Sequence, residues 1–516
     1  MKAAVVGSLA LMLLFTGSTK AWAGGLYLPG YGSQAQPRAG AFVARADDPT
    51  ALFHNPAGLA RQRGTALHVG FNVVDFSQTF RRDGSYETDP LGAHPWDGQA
   101  YAKVENDASP TLGIGSAAAI PLLSMTTDFG LDLPLTFAVG LLASHGYPFR
   151  DYSNGYVFED PNAPPPPGRY DTLVQDAAAA AATIGVGYSI SDQLHVGVTL
   201  AWGFADFKTQ KHTWGIRNYE EAVAADGEVI LDAKDNFIPG FGLGILYSPI
   251  SHLDIGVNYR SASKIGAVGT VRSQLGKGVG VSGPDSIVPD DEVLCAPGGT
   301  IVAVKGCIDI TLPQTATLGA RWVFDDLKGE RADIELDVRW EDWSAGSDFI
   351  SVVDGQSQLL GRRLETVITR HGLRDSFSFR LGGSYNLPVS GALLNLRAGV
   401  AYDTAAAPVS FTKLDIDGFA RTTVGLGLGF EVGRFQFDLG GGAIFEGDRT
   451  VSSSCNPTAS NPGCDGNGAD TPVADRDAPD PEQPLQSPSN QVQNPYNGGA
   501  YSQGYLLFSL GVTTRF

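Results

Sequence analysis

Past residue 15 the sequence has no run of about 20 apolar residues, the length a helix needs to cross a bilayer, so a helical membrane protein is excluded. Charge is scarce, and positive charge scarcest: 18% of residues are charged, with 36 Lys and Arg against 55 Asp and Glu. A formal charge of −19 offers no basic face to neutralise phosphates, which argues against nucleic acid as a partner. Catalytic signatures are missing too. No G-x-S-x-G, H-E-x-x-H or cysteine-nucleophile pattern occurs, and the histidines are scattered singly. Of these His54 draws most notice for the residues around it, although a lone histidine more often makes a structural hydrogen bond. The glycines at 113–115 and 425–429 superficially suggest nucleotide loops, but neither group opens a helix after a buried strand. The acidic stretch at 465–470 is weakly calcium-like and lacks the bidentate Glu of a calcium loop. The expectation is a protein that is not an enzyme, with no cofactor and no metal.

What the chain does have begins with an export signal. Lys2 precedes an apolar run from Ala3 to Phe15, and Ala21-Trp22-Ala23 forms an A-x-A site, so residues 1–23 read as a signal peptide and the mature protein begins at Gly24. Loss of Lys2 and Lys20 takes the formal charge from −19 to −21. Four cysteines fall in two close pairs, Cys295 with Cys307 and Cys455 with Cys464, each in a polar segment rich in Gly and Pro. In an exported chain this reads as two local loop disulfides; neither pair has the C-x-x-C spacing or nearby histidines of a metal site.

The 65 Gly and 31 Pro are spread over many short segments of alternating polarity. Leu394, Leu396, Ala398, Val400 and Tyr402 alternate with Asn395, Arg397, Gly399, Ala401 and Asp403; Ala420 to Glu431, Asp333 to Glu341 and Leu253 to Arg260 split the same way. One face meets lipid and the other a lumen, with aromatic residues ending the lipid faces. Candidate strands start near Thr65, Asp107, Pro134, Asp171, Leu194, Asp235, Leu253, Ile310, Ala332, Asp375, Leu393, Phe419, Phe435 and Tyr501, an even fourteen. The alanine run 177–182 favours helix by propensity and is read as strand by position. Connections alternate between tight turns, as at Gly433-Arg434, and long loops, as at 147–170, 272–309 and 450–500. An outer-membrane β-barrel has that asymmetry, with short turns and here both chain ends on the periplasmic side. The chain also stops on an aromatic residue, Phe516, closing a mostly apolar face of the last strand. Closure is obligatory, because an open edge in hydrocarbon leaves backbone groups unpaired. The fold class is therefore an all-β transmembrane antiparallel barrel.

Fourteen strands enclose more space than their own side chains fill. Residues 24–64, which lie before the first strand and alternate little, are the candidate plug, leaving 65–516 as the barrel with its long loops. Within the plug, Asn55-Pro56-Ala57-Gly58-Leu59 resembles the hatch motif of the FadL family of outer-membrane transporters of long-chain fatty acids and aromatic hydrocarbons. The context extends the resemblance across nearly the whole mature chain: Arg38-Ala39-Gly40-Ala41, Gly256 to Ser261, Leu312-Pro313, and Leu396 to Asp403. The long cysteine-bearing loops depart from the family pattern.

The resemblance implies a barrel with an amino-terminal hatch, an inner apolar pocket, and a sideways exit at a kinked third strand, whose counterpart here is Ser144-His145-Gly146-Tyr147-Pro148. The alternative is that Gly146 and Pro148 simply end the strand. A fatty-acid carboxylate would need a cationic partner where it is desolvated; Arg260, Arg397 and Arg421 on lumen faces and Arg38, Arg45 and Arg61 in the hatch are candidates, against the reading that they pair with lumen acids such as Asp254 or Glu431 or anchor hatch to wall. The expected function is passive uptake of hydrophobic compounds, long-chain fatty acids first, with aromatic hydrocarbon uptake or a surface receptor or adhesin as alternatives; a barrel enzyme and a polar-solute porin fit less well. The expected surroundings are outer-membrane lipid, lipopolysaccharide and the barrel-assembly machinery, with the protein acting as a monomer.

Overall fold

The computed structural model describes residues 28–516 except 29, 87, 90–91, 111–112, 144–148, 161, 214–222, 277–282, 285–286, 289–304, 327–328, 358–361, 364–366, 417 and 452–497. Fourteen antiparallel staves close into a ring. They are β1 (Thr65–Arg82), β2 (Ala117–Thr127), β3 (Leu135–Leu142), β4 (Val174–Ser189), β5 (Leu194–Thr213), β6 (Gly227–Ile250), β7 (Leu253–Arg260, continued by Ser263–Leu275), β8 (Lys305–Leu312, continued by Thr315–Asp326), β9 (Gly329–Glu341), β10 (Ser376–Val389), β11 (Ala392–Asp403), β12 (Arg421–Val432), β13 (Phe435–Glu446) and β14 (Gly499–Arg515). Each stave pairs with the next in sequence, and β14 returns to β1 from Ala66 opposite Arg515 to Arg82 opposite Gly499, so no edge is left.

The wall is inside out relative to a soluble protein. Phe71, Leu200, Leu318, Leu336, Leu426, Leu439 and Leu510 are exposed, whereas His68, Arg321, Asp333, Glu335, Asp337 and Asp438 are buried. That arrangement is stable only where the outer solvent is hydrocarbon and the inner charges find partners. Alternation breaks at a definite height. On β1 the inward residues pass from His68 and Asn72 to Val74 and Phe76, while the outward ones pass from Phe71 and Val73 to Asp75. The outer hydrocarbon boundary therefore lies near Asp75, and the lumen beside it turns apolar.

The second stave starts at Ala117, ten residues beyond the expected Asp107. Asp107 instead bonds the backbone of Asp151, and Pro110 has no N–H for a ladder. The alanine run 177–182 is strand throughout. Tight turns join even to following odd staves, and they lie at the end where both Thr65 and Phe516 sit. Shorter strands, such as Arg150–Asp151 and Asp348–Asp354, extend the opposite, long-loop end. Of the cysteines, Cys307 is buried on β8; Cys295, Cys455 and Cys464 lie outside the described residues.

Candidate functional site

Residues 28–63 touch the inward faces of staves on every side of the ring. The chain here is a series of tight turns, a 3-10 turn Gln36–Arg38, a single helical turn Ala51–His54 and a 3-10 helix Pro56–Arg61. Asn55 holds two of them together: its side chain caps Ala57 N (3.1 Å) and donates to Val43 O (2.8 Å) and to Ile245 O on β6 (3.1 Å). Pro56 follows as the first residue of the 3-10 helix, where a missing N–H is harmless. Gly58 is required by space, since a β-carbon there would lie 2.1 Å from the Ala46 carbonyl oxygen. On the facing wall, a β-carbon at Gly399 would lie 2.1 Å from the Arg38 carbonyl carbon.

Charge fixes the rest of the segment. Arg38 is fully buried and pairs with Asp333 (2.8 Å) and Glu335 (3.0 Å) on β9, and Arg45 reaches Asp333 (3.3 Å) and Asp47 (2.9 Å). Arg61 pairs with Asp254 (2.7 Å). The amides of Phe42 and Val43 donate to Asp337, and those of Ala44 and Arg45 to Glu335. Three acids at alternate positions of one stave thus collect the segment's donors, and Arg321 on β8 completes the network through Asp333 (2.9 Å). Sequence reading placed Asp333, Glu335 and Asp337 on a lumen face but did not connect them to Arg38; their spacing of two, opposite arginines nearly 300 residues earlier, was the available signal.

The remaining arginines divide. Arg397 pairs with Asp438 (2.6 Å) and Arg421 with Asp403 (2.5 Å). Arg260 is half-buried and has no ion-pair partner among the described residues. It lines a narrow cavity with Tyr31, His54, Asn258, Arg339 and Arg380. His54 Nε2 donates to Tyr31 O (2.8 Å) and the ring packs edge-on to Phe42, and burial pushes its pKa down to about 4, so it stays neutral at ordinary pH.

An apolar space adjoins the segment at Leu28. A cavity of about 530 Å³ is bounded by Leu28, Val74, Phe76, Ile120 and Tyr505 and by the alanines at 177–180. It reaches the wall at Leu141 and Ala143 on the β3 side and at Ala177 to Ala180 on β4. Leu142 is opposite Ala181, the next rung is Arg150 opposite Gln175, and between them Asp176 to Ala180 has no ladder partner on that side among the described residues. The kink candidates Ser144, His145, Gly146 and Pro148 lie outside the described residues. A separate cavity of about 300 Å³ at the short-turn end is polar, lined by Arg45, Asp47, Asn395, Arg397 and Gln436 among others.

Residues 14–467 match the family described as outer membrane protein transport protein (OMPP1/FadL/TodX). No curated protein matches the chain. The fold is similar to that of a Pseudomonas aeruginosa FadL homologue (TM-score 0.65, 16% identity, covering 96% of this chain and 100% of the other). It is also similar to the P. putida toluene transporter TodX (TM-score 0.59, 15% identity, 95% and 99%) and the Ralstonia pickettii toluene transporter TbuX (TM-score 0.58, 14% identity, 95% and 99%).

Proposed function

The chain belongs to the FadL/TodX family of outer-membrane transporters of hydrophobic compounds, and from that premise we propose that it takes up long-chain fatty acids passively, through the apolar cavity and out sideways through the barrel wall, where the β3–β4 side of the cavity is the route for wholly apolar solutes. In this reading residues 1–23 are the export signal, residues 24–64 the hatch that keeps the barrel watertight, and residues 65–516 the barrel, with both ends in the periplasm and one chain sufficient. The observation that carries it is the cavity of about 530 Å³, lined mainly by apolar side chains and reaching Leu141 and Ala143 on the β3 side and Ala177 to Ala180 on β4.

Burial of apolar surface at about 25 cal/mol/Å² draws an oily solute out of the polar outer layer into such a space, with no energy source. Its position just inside the boundary marked by Asp75 supports release toward lipid rather than into water. Aromatic hydrocarbon is the second reading, favoured by the toluene transporters TodX and TbuX among the similar structures. A receptor or adhesin role for the long loops has no comparable support in the described residues.

Filling the cavity tests the reading. Ala179→Trp, on the cavity wall, is expected to reduce uptake of radiolabelled dodecanoate by cells lacking their own such channel by about tenfold or more, while the barrel still folds, as judged by heat-modifiable electrophoretic mobility. Unchanged uptake by the folded variant would contradict the route. Mass spectrometry of lipids retained through purification distinguishes fatty acid from hydrocarbon.

A further inference from the structure

The panel formed by β4, β5 and β6 is loose along both of its sides. β6 pairs with β7 from Gly242 to Ile250 and again from Gly227 to Lys234, but between those ladders Asp235 to Phe241 and Ser261 to Ala267 form no rungs. Three bonds pin the ends of the gap: Ser261 N to Phe241 O (2.9 Å), Phe241 N to the Ser261 hydroxyl (3.0 Å) and Gly266 N to the Asp235 carboxylate (2.8 Å). What is left open, Asn236 to Gly240, is roughly 16 Å of wall at about 3.3 Å per residue.

The cause is local. Pro239 has no N–H to give, and a bulge in β6, with Gly203 opposite Ile238 but Ala205 opposite Asp235, bends the strand at this height. β7 is itself interrupted at Ser261 and Ala262. Unpaired backbone groups facing hydrocarbon cost several kcal/mol each, so a break retained here needs polar lining or a use.

Behind the break lies a cavity floored by Leu52, Phe53 and Pro56 and edged by Asn258, Arg260 and Ser261. It shares Ala179, Ala180 and Phe204 with the main apolar cavity, so the two are neighbours through the panel. The character of the two differs. The main cavity is bounded chiefly by apolar side chains, whereas this one has a half-buried guanidinium with no ion-pair partner among the described residues, at a site where Arg38, Arg397 and Arg421 are all matched by carboxylates. Outside, the break is framed by Trp202, Phe237, Phe241 and Tyr259, with the Lys234–Asp206 ion pair (2.6 Å) just beyond. Aromatic rings followed by charge mark a membrane interface.

We propose that the β6–β7 break is a second lateral portal, used by amphipathic guests whose anionic head group rests on Arg260 while the chain passes out between Ile238 and Ile265. Neutral hydrocarbons keep to the β3–β4 route. The inference rests on the transport reading above and adds head-group selection to it.

The test closes the break reversibly. Gly240 has room for a side chain, its nearest neighbours beyond a new β-carbon being Ser261 Oγ at 3.6 Å and Ala201 at 3.7 Å. Gly240→Cys with Ala262→Cys is joined by a reducible bismaleimide, beside identically treated wild type because the chain has four cysteines of its own; Gly240→Trp is the second, cross-link-free closure. Uptake of radiolabelled dodecanoate and of dodecane is then compared. Closure is expected to reduce dodecanoate uptake about tenfold, with recovery on reduction and dodecane unaffected. Arg260→Ala should reproduce the dodecanoate loss and Arg260→Lys restore most of it, as a lost charge-assisted bond would. Undiminished dodecanoate uptake through both closed forms would overturn the portal, and equal loss of both probes would overturn its selectivity. Failure of wild type to take up either probe would instead overturn the transport reading.

Discussion

Asn55 donates to two carbonyls, the buried one of Val43 in its own segment and the partly buried one of Ile245 on β6, and caps the helix that follows. Asn55→Ala leaves those groups unsatisfied and is expected to destabilise by about 2–3 kcal/mol, read as a lower urea midpoint for loss of the native barrel; an unchanged midpoint would show that the segment is not held there. Asp333 is shared by Arg38, Arg45 and Arg321, so Asp333→Ala strands buried positive charge and should cost about 3–5 kcal/mol in the same assay. For His54 the neutral form is favoured in the fold, with its pKa moved from 6.5 down to about 4. Its contribution is therefore complete above pH 6.5 and is lost as pH falls through 4. The wild-type midpoint should drop over that window, and His54→Gln, which can still donate to the Tyr31 carbonyl, should flatten the drop. Sequence alone named Arg38, Arg260, Arg397 and Arg421 as cations facing inward, but which of them find acids depends on neighbours brought together across hundreds of residues. Alternation gives the face of a side chain; only the ring's register gives its partner.

At the scale of strands, period-two alternation was legible because lipid and lumen impose opposite demands on successive residues. It failed where those demands relax. The stretch at Asp107 forms no stave, the second beginning only at Ala117, and the alanine run carries no alternation because a methyl group suits either face. The exchange of character on β1, apolar inward and polar outward past Val74, was present in the sequence and points to the cavity; it goes unread when strands are scored one face at a time. The lipid assignment of the outer face has its own test. Leu426 on β12 is 65% exposed, and Leu426→Arg should cost about 2–4 kcal/mol of folding stability in phospholipid vesicles. A neutral effect would mean that this face does not meet hydrocarbon.

At the scale of the whole molecule, residues 30–63 lie among the staves, tied by ion pairs to β9 and β7 and by apolar packing to β1 and β2. The barrel's closure follows from the need to pair backbone groups in hydrocarbon, and its strand number and loop asymmetry were readable from spacing. The break at β6–β7 was not, because a missing rung leaves no mark on composition. Planar-bilayer conductance of the intact protein beside a variant lacking residues 28–63 tests most directly whether that segment seals the barrel. The intact barrel should pass no steady ion current while the shortened one conducts continuously; steady conduction by the intact chain would contradict the seal.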